Sequence, residues 1–150
     1  MPKTQAIGVA YADPEFQSVT VTGAVSAASV SATSVTGTMV TASGSLVIKS
    51  ATVAAAGSNQ GTAAAVTAGF TLVTGADAAK GVVLPAASAG LVVIIKNADA
   101  ANAVLKVYPA SGDAINALAA NASYDMAAKT SMLLVAYDAT TWYTVPLLAS

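Results

Sequence analysis

Cysteine, histidine and arginine are all missing from this 150-residue chain. Without cysteine there are no disulfides, thiolate metal sites or cysteine nucleophiles, and the redox compartment is left open. Without histidine as well, the common zinc, haem and triad chemistries lose their central groups, and no cofactor is expected. Charge is scarce: six lysines and seven acidic residues give a net charge of −1, and 9% of residues are charged. An ordinary soluble domain carries about 25%. A nucleic-acid surface needs clustered cations to displace phosphate counterions, so nucleic acid is not an expected partner. Long apolar runs are missing too. The chain is 55% hydrophobic with a mean hydropathy of +0.68, but alanine supplies much of this. No stretch approaches the ~18 unbroken apolar residues of a membrane span, so membrane insertion is not expected. The first 16 residues show no basic region followed by an apolar core, the pattern of a secretory signal.

What remains to cover the surface is serine, threonine and alanine. A surface with so few charges fits a β protein whose subunits cover one another better than a freely moving enzyme.

Residues 1–17 carry no periodic signal, and Asp13-Pro14 marks an extended or turn conformation. Either an attachment arm or a disordered tail has this character. Residues 18–45 differ sharply: they contain no charge and nothing larger than Met39. Val25, Val30, Val35 and Val40 recur every fifth position, each followed by Ser or Thr, and Val-Thr-Gly occurs at 21–23 and 35–37. Val, Ser, Thr and Gly are poor helix formers, and five-residue spacing walks off a helical face. Short strands with tight turns are expected instead. So small a set cannot offset an ordering entropy of about 1–2 kcal/mol per residue by itself. Three readings compete: a stalk in which identical chains bring these valines to a common axis, a pentapeptide solenoid, or a flexible linker. The regular valine spacing favours the stalk, since a linker has no need of it.

From residue 46 to 150 the pattern is that of an all-β domain. Leu46 to Val53 reads as a first strand, and the low-complexity stretch 50–69 offers a loop at Gly57–Gly61, its Gly and Thr disfavouring a helix. Strands are then expected at Phe70–Thr74, Val82–Leu84, Leu91–Lys96, Val104–Tyr108, Ala114–Leu118, Tyr124–Ala127, Met132–Tyr137 and Trp142–Val145. Each is bounded by Gly, Pro, Asn or Asp. Many short strands without a helical period predict an antiparallel β-sandwich or jelly-roll-like domain, with residues 90–116 as a hairpin-like unit at its middle. Leu91–Ile95 and Met132–Tyr137 are apolar on both faces, which calls for cover from another layer or another subunit.

Candidate chemistry is thin. Asp99, Asp113, Asp125 and Asp138 could include an acid pair, but each sits at a turn beside small residues, where Asp commonly caps local backbone. Ser111 precedes Gly112 without the second glycine of a nucleophile elbow or a histidine to activate it. Asn97, Asp99 and Asn102 could supply oxygen ligands to calcium, yet their spacing matches no loop motif and reads as turn chemistry. Tyr124, Tyr137, Trp142 and Tyr143 cluster late in the chain and read as core or subunit contacts, with a sugar-stacking platform as the alternative.

The string VYPASGDAIN at 107–116, the earlier Leu84-Pro85 turn, the Gly-led strand from Gly90 to Asn97 and the late strand at Trp142 together resemble the C-terminal β domain of tailed-bacteriophage virion proteins. Head fibres, capsid decoration proteins and some tail-associated proteins share this order. The Val-Thr-Gly stretch is similar to the fibrous parts of such proteins. The resemblance implies a non-enzymatic homotrimer on the virion surface, attached to the major capsid protein lattice through its N-terminal part. It transfers no catalytic residues. A tail-fibre or receptor-binding tip recognising host-surface glycan is the alternative.

Overall fold

Phe70–Thr74 illustrates how the chain builds its strands: β-branched and aromatic residues between Gly69 and Gly75 favour an extended segment, and alternate side chains turn to opposite faces. The same logic repeats along the chain. A computed structural model describes residues 22–37 and 39–145. The chain divides into two units, Met1–Thr41 and Ala42–Ser150. Residues 1–17 lie outside the described residues.

In the first unit, the described residues form no strand. This departs from the expected short strands, and the physical reason is visible in the exposures. Val25, Val30, Val35 and Val40 are 68–73% exposed, so a single chain offers them nothing to pack against.

The second unit contains ten strands and no helix among the described residues. They are β1 (Ser50–Ala54), β2 (Ala64–Ala65), β3 (Phe70–Thr74), β4 (Gly81–Val83), β5 (Val92–Asn97), β6 (Leu105–Tyr108), β7 (Ala114–Ile115), β8 (Tyr124–Met126), β9 (Ser131–Ala136) and β10 (Thr141–Val145). One sheet has the order β1-β3-β5-β9-β10-β7, the other β2-β4-β6-β8. From β1 to β6 the chain alternates between the sheets, so that β1, β3 and β5 lie parallel in one and β2, β4 and β6 parallel in the other. This is a solenoid-like winding. Successive turns place Ser50 beside Phe70 and Phe70 beside Ile94, repeats of 20 (70 − 50) and 24 (94 − 70) residues. The winding then reverses. Strand β8 joins β6, and β9 joins β5 and then β10, all antiparallel, while β7 pairs parallel to β10 at the far edge.

The expected wholly antiparallel sandwich is therefore corrected: five of the eight strand pairings are parallel. The connections explain why. A tight two-residue turn would fold a strand back on its predecessor, whereas the segments between β1 and β2, β3 and β4, and β5 and β6 are longer and carry the chain to the opposite sheet. For the same reason residues 90–116 are no hairpin: β5 and β6 belong to different sheets. The first strand begins at Ser50, leaving Leu46 and Val47 outside it and 79% and 90% exposed. The low-complexity stretch 50–69 contains β1 and the short β2, and the loop expected at Gly57–Gly61 lies between them.

Inward-facing residues of both sheets form one core. Val73, Ile95, Leu134 and Trp142 from the six-stranded sheet meet Val82, Leu105 and Val107 from the four-stranded one, all at 0% exposure, with Ile115 of β7 joining them. Each such side chain contributes about 1.5–3 kcal/mol relative to exposure. The turns are close enough to exclude a side chain at Gly81, where a Cβ would lie 2.6 Å from the Lys106 carbonyl oxygen and 2.8 Å from the Tyr108 ring. One polar side chain inside the core is tied to backbone throughout. Asn97, fully buried at the end of β5, donates from Nδ2 to the carbonyls of Ala103, Met126 and Ala127 at 3.0, 3.2 and 3.3 Å. Its Oδ1 accepts from Asp99 N at 3.2 Å. One side chain thus fastens the β5–β6 crossing to the β8–β9 connection.

Candidate assembly surfaces

An acid pair for glycoside hydrolysis would be drawn from the carboxylates. Asp99 accepts from Ala103 N at 2.9 Å and Asp138 from Thr140 N and Thr141 N at 2.8 Å each, which are local caps. The other two are not. Asp113, buried in the turn of PASGD, accepts from Ala87 N at 2.9 Å across 26 positions of sequence, and Asp125 pairs with Lys106 across β8 and β6 at 2.7 Å. Backbone donation from Thr140 is the main cause that holds the Asp138 carboxyl below its ordinary value. Donation from Lys80 N does the same for Asp77. Each of these five carboxylates serves as a local cap, a long-range tie or an ion-pair partner. Among the described residues no three His, Cys, Asp or Glu side chains are grouped to hold a metal ion.

The PASGD turn is structural in the same sense. Gly112 takes a left-handed φ of +91°, and its N–H donates to Asn121 Oδ1 at 2.7 Å. Gln60 Nε2 bonds the Pro109 carbonyl at 2.8 Å, so the turn is locked to the β1–β2 connection.

The four late aromatics separate. In β10 the alternation sends Trp142 and Thr144 inward and Tyr143 and Val145 outward. Trp142 is at 0% exposure and takes no part in any surface platform. Tyr124 is half-buried against the core. Tyr137 and Tyr143 remain at the surface, 71% and 42% exposed, with ring centroids 6.0 Å apart in an edge-to-face arrangement.

Sequence reasoning marked two strands as apolar on both sides but did not find the surface they create with their neighbours. The register brings outward residues of four strands into rows. Phe70, Ile94, Leu133 and Val145 lie side by side across β3, β5, β9 and β10, and Val92, Val135 and Tyr143 form the next row. The inward partners on these strands are buried, while these residues are half-buried or exposed. Alternation within each strand carried the signal; the order of the strands did not follow from it. Lys96, at one margin, is the charged residue among the outward positions of these four strands, and its Nζ donates to the Lys129 carbonyl. Beside Val92 the face runs into an open cleft of about 260 Å³ lined by Lys49, Val66, Pro85 and Leu91 among others. The outer side of the four-stranded sheet is built differently, with the Lys106–Asp125 ion pair joining β6 to the edge strand β8.

Among the described residues no helix is long and apolar enough to cross a membrane. Comparison with protein-family models, with curated proteins and with solved structures finds no match to this chain.

Proposed function

We propose that this chain is a non-enzymatic virion structural protein that decorates the outside of a phage capsid, as head decoration or head fibre. In this reading it acts as a homotrimer, residues 1–17 attach it to the major capsid protein lattice, and the β domain projects. The observation that carries the proposal is the first unit: an uncharged segment whose valines, at a five-residue spacing, are about 70% exposed in the single chain. Apolar β-formers placed so regularly and left so open fit burial against identical copies on a common axis. Many identical weak contacts on a repetitive shell then give firm attachment by avidity.

Light scattering tests the stalk, with three times the chain mass expected and a monomeric mass counting against it. Val30→Asp should weaken assembly, because it would bury an unpaired charge on the axis. Deleting residues 1–17 should abolish capsid binding and leave the oligomer intact. A second reading rests on the exposed Tyr137–Tyr143 pair, whose edge-to-face rings offer an apolar stacking surface for a sugar. A receptor-binding tip of this kind would bind host cells without residues 1–17 and lose that binding on Tyr143→Ala.

A further inference from the structure

We propose that the outer face of the six-stranded sheet, centred on Ile94, Leu133 and Val135, is a second interface between copies of this chain, separate from the valine segment. The face is apolar across four hydrogen-bonded strands, and its one charge, Lys96, sits at the margin bonded to a carbonyl of its own chain. Its centre offers no charge for a charged partner to pair with. The other sheet of the same unit carries a Lys–Asp pair on its outer side, as a surface that stays in water does. The two outer faces therefore differ in what they are built to meet, and a flat uncharged face is complementary to itself.

Size decides between a copy and an unrelated partner. Four strands at about 4.8 Å and two to three outward rows at about 6.7 Å give a footprint on the order of 300 Å². A stable interface between independent proteins takes about 800 Å² from each. The face is too small to capture a free partner, and large enough to close on one already held nearby. The partner held nearby is another copy, because the valine segment tethers copies and raises their effective concentration to about the millimolar range. This inference rests on the stalk reading for its tether, and it adds a contact in the other unit. Tyr137 and Tyr143 at the rim supply the rigid, amphipathic rings that subunit contacts favour.

The chain has no cysteine, so a single introduced one reports contacts between copies alone. In the full chain, Val135→Cys treated with a bismaleimide of about 10 Å span, the spacing of packed sheets, should give covalent multimers. Asp125→Cys, on the outer side of the other sheet, should give at least about tenfold less. Val135→Lys should raise the dissociation constant of the oligomer by about 100-fold or more, with Trp142 emission reporting that the core is intact. Equal cross-linking at both positions in an oligomer of wild-type mass, or a folded Val135→Lys variant whose oligomer dissociates at the same concentration as wild type, overturns the second interface and leaves the stalk standing. A monomeric wild type overturns both.

Discussion

Asn97→Ala is the sharpest test of how the two halves of the coil are fastened. The side chain is fully buried, and its amide shares two protons among the carbonyls of Ala103, Met126 and Ala127 while its oxygen takes Asp99 N. Alanine removes all four contacts. Two donors and one acceptor at about 1 kcal/mol each give about 3 kcal/mol, and carbonyls left dry add to that, so a loss of about 3–4 kcal/mol is expected. For a domain of about this size that corresponds to a fall in melting temperature of roughly 15 °C or more. Urea unfolding followed by the emission of buried Trp142 reads the loss directly. Asn97→Asp separates hydrogen bonding from packing, since it keeps the shape and turns a carboxylate toward three carbonyl oxygens. At neutral pH it should be at least as damaging as alanine. Its folded pKa would be raised, so stability should return as pH falls below that value. A loss under about 1 kcal/mol for alanine, or an aspartate variant indifferent to pH, would refute the idea that this side chain joins the sheets.

Two further outcomes follow from local geometry. Gly81→Ala places a Cβ against the Lys106 carbonyl and the Tyr108 ring and should cost about 2–3 kcal/mol in urea unfolding, whereas Gly61→Ala, whose nearest neighbour is an Asn59 oxygen at 3.6 Å, should stay within about 0.5 kcal/mol. Asp138 is held below its ordinary pKa by Thr140 N, so its contribution is present above the unfolded carboxylate range and is lost as pH falls through the folded value. Asp138→Asn should therefore flatten the decline of melting temperature between about pH 4 and pH 2, and an unchanged acid limb would count against that cap.

Strand identity was legible in the sequence, and strand pairing was not. Phe70–Thr74 is found residue for residue, and seven other predicted strands lie within a few positions of the observed ones, because apolar runs bounded by Gly, Pro, Asn or Asp end where the backbone must turn. A period of two reads the same whether neighbours run parallel or antiparallel, so the alternation between sheets from β1 to β6 left no local mark. Strand β2 is two alanines and carries no signal at all. In β10, Trp142 and Tyr143 are adjacent and both aromatic, and only the register with Ala136 and Val135 decides which faces the core. The Asn97 node was invisible for a related reason, since an asparagine at a strand end reads as a turn residue whether its amide meets water or three carbonyls.

The winding is blocked at one end and open at the other. Antiparallel β9 and β10 end the parallel winding of the six-stranded sheet beyond β5, while among the described residues β1 is the edge strand on the opposite side. A turn of the coil meets only the turns beside it, so a segment of about 20 residues duplicated near β1 or β3 would lengthen the stack without disturbing the blocked end. Length in this architecture is adjustable in steps of one strand spacing, about 4.8 Å. Every such step also widens the outer face by one strand, so the reach of the domain and the area that copies can share grow together.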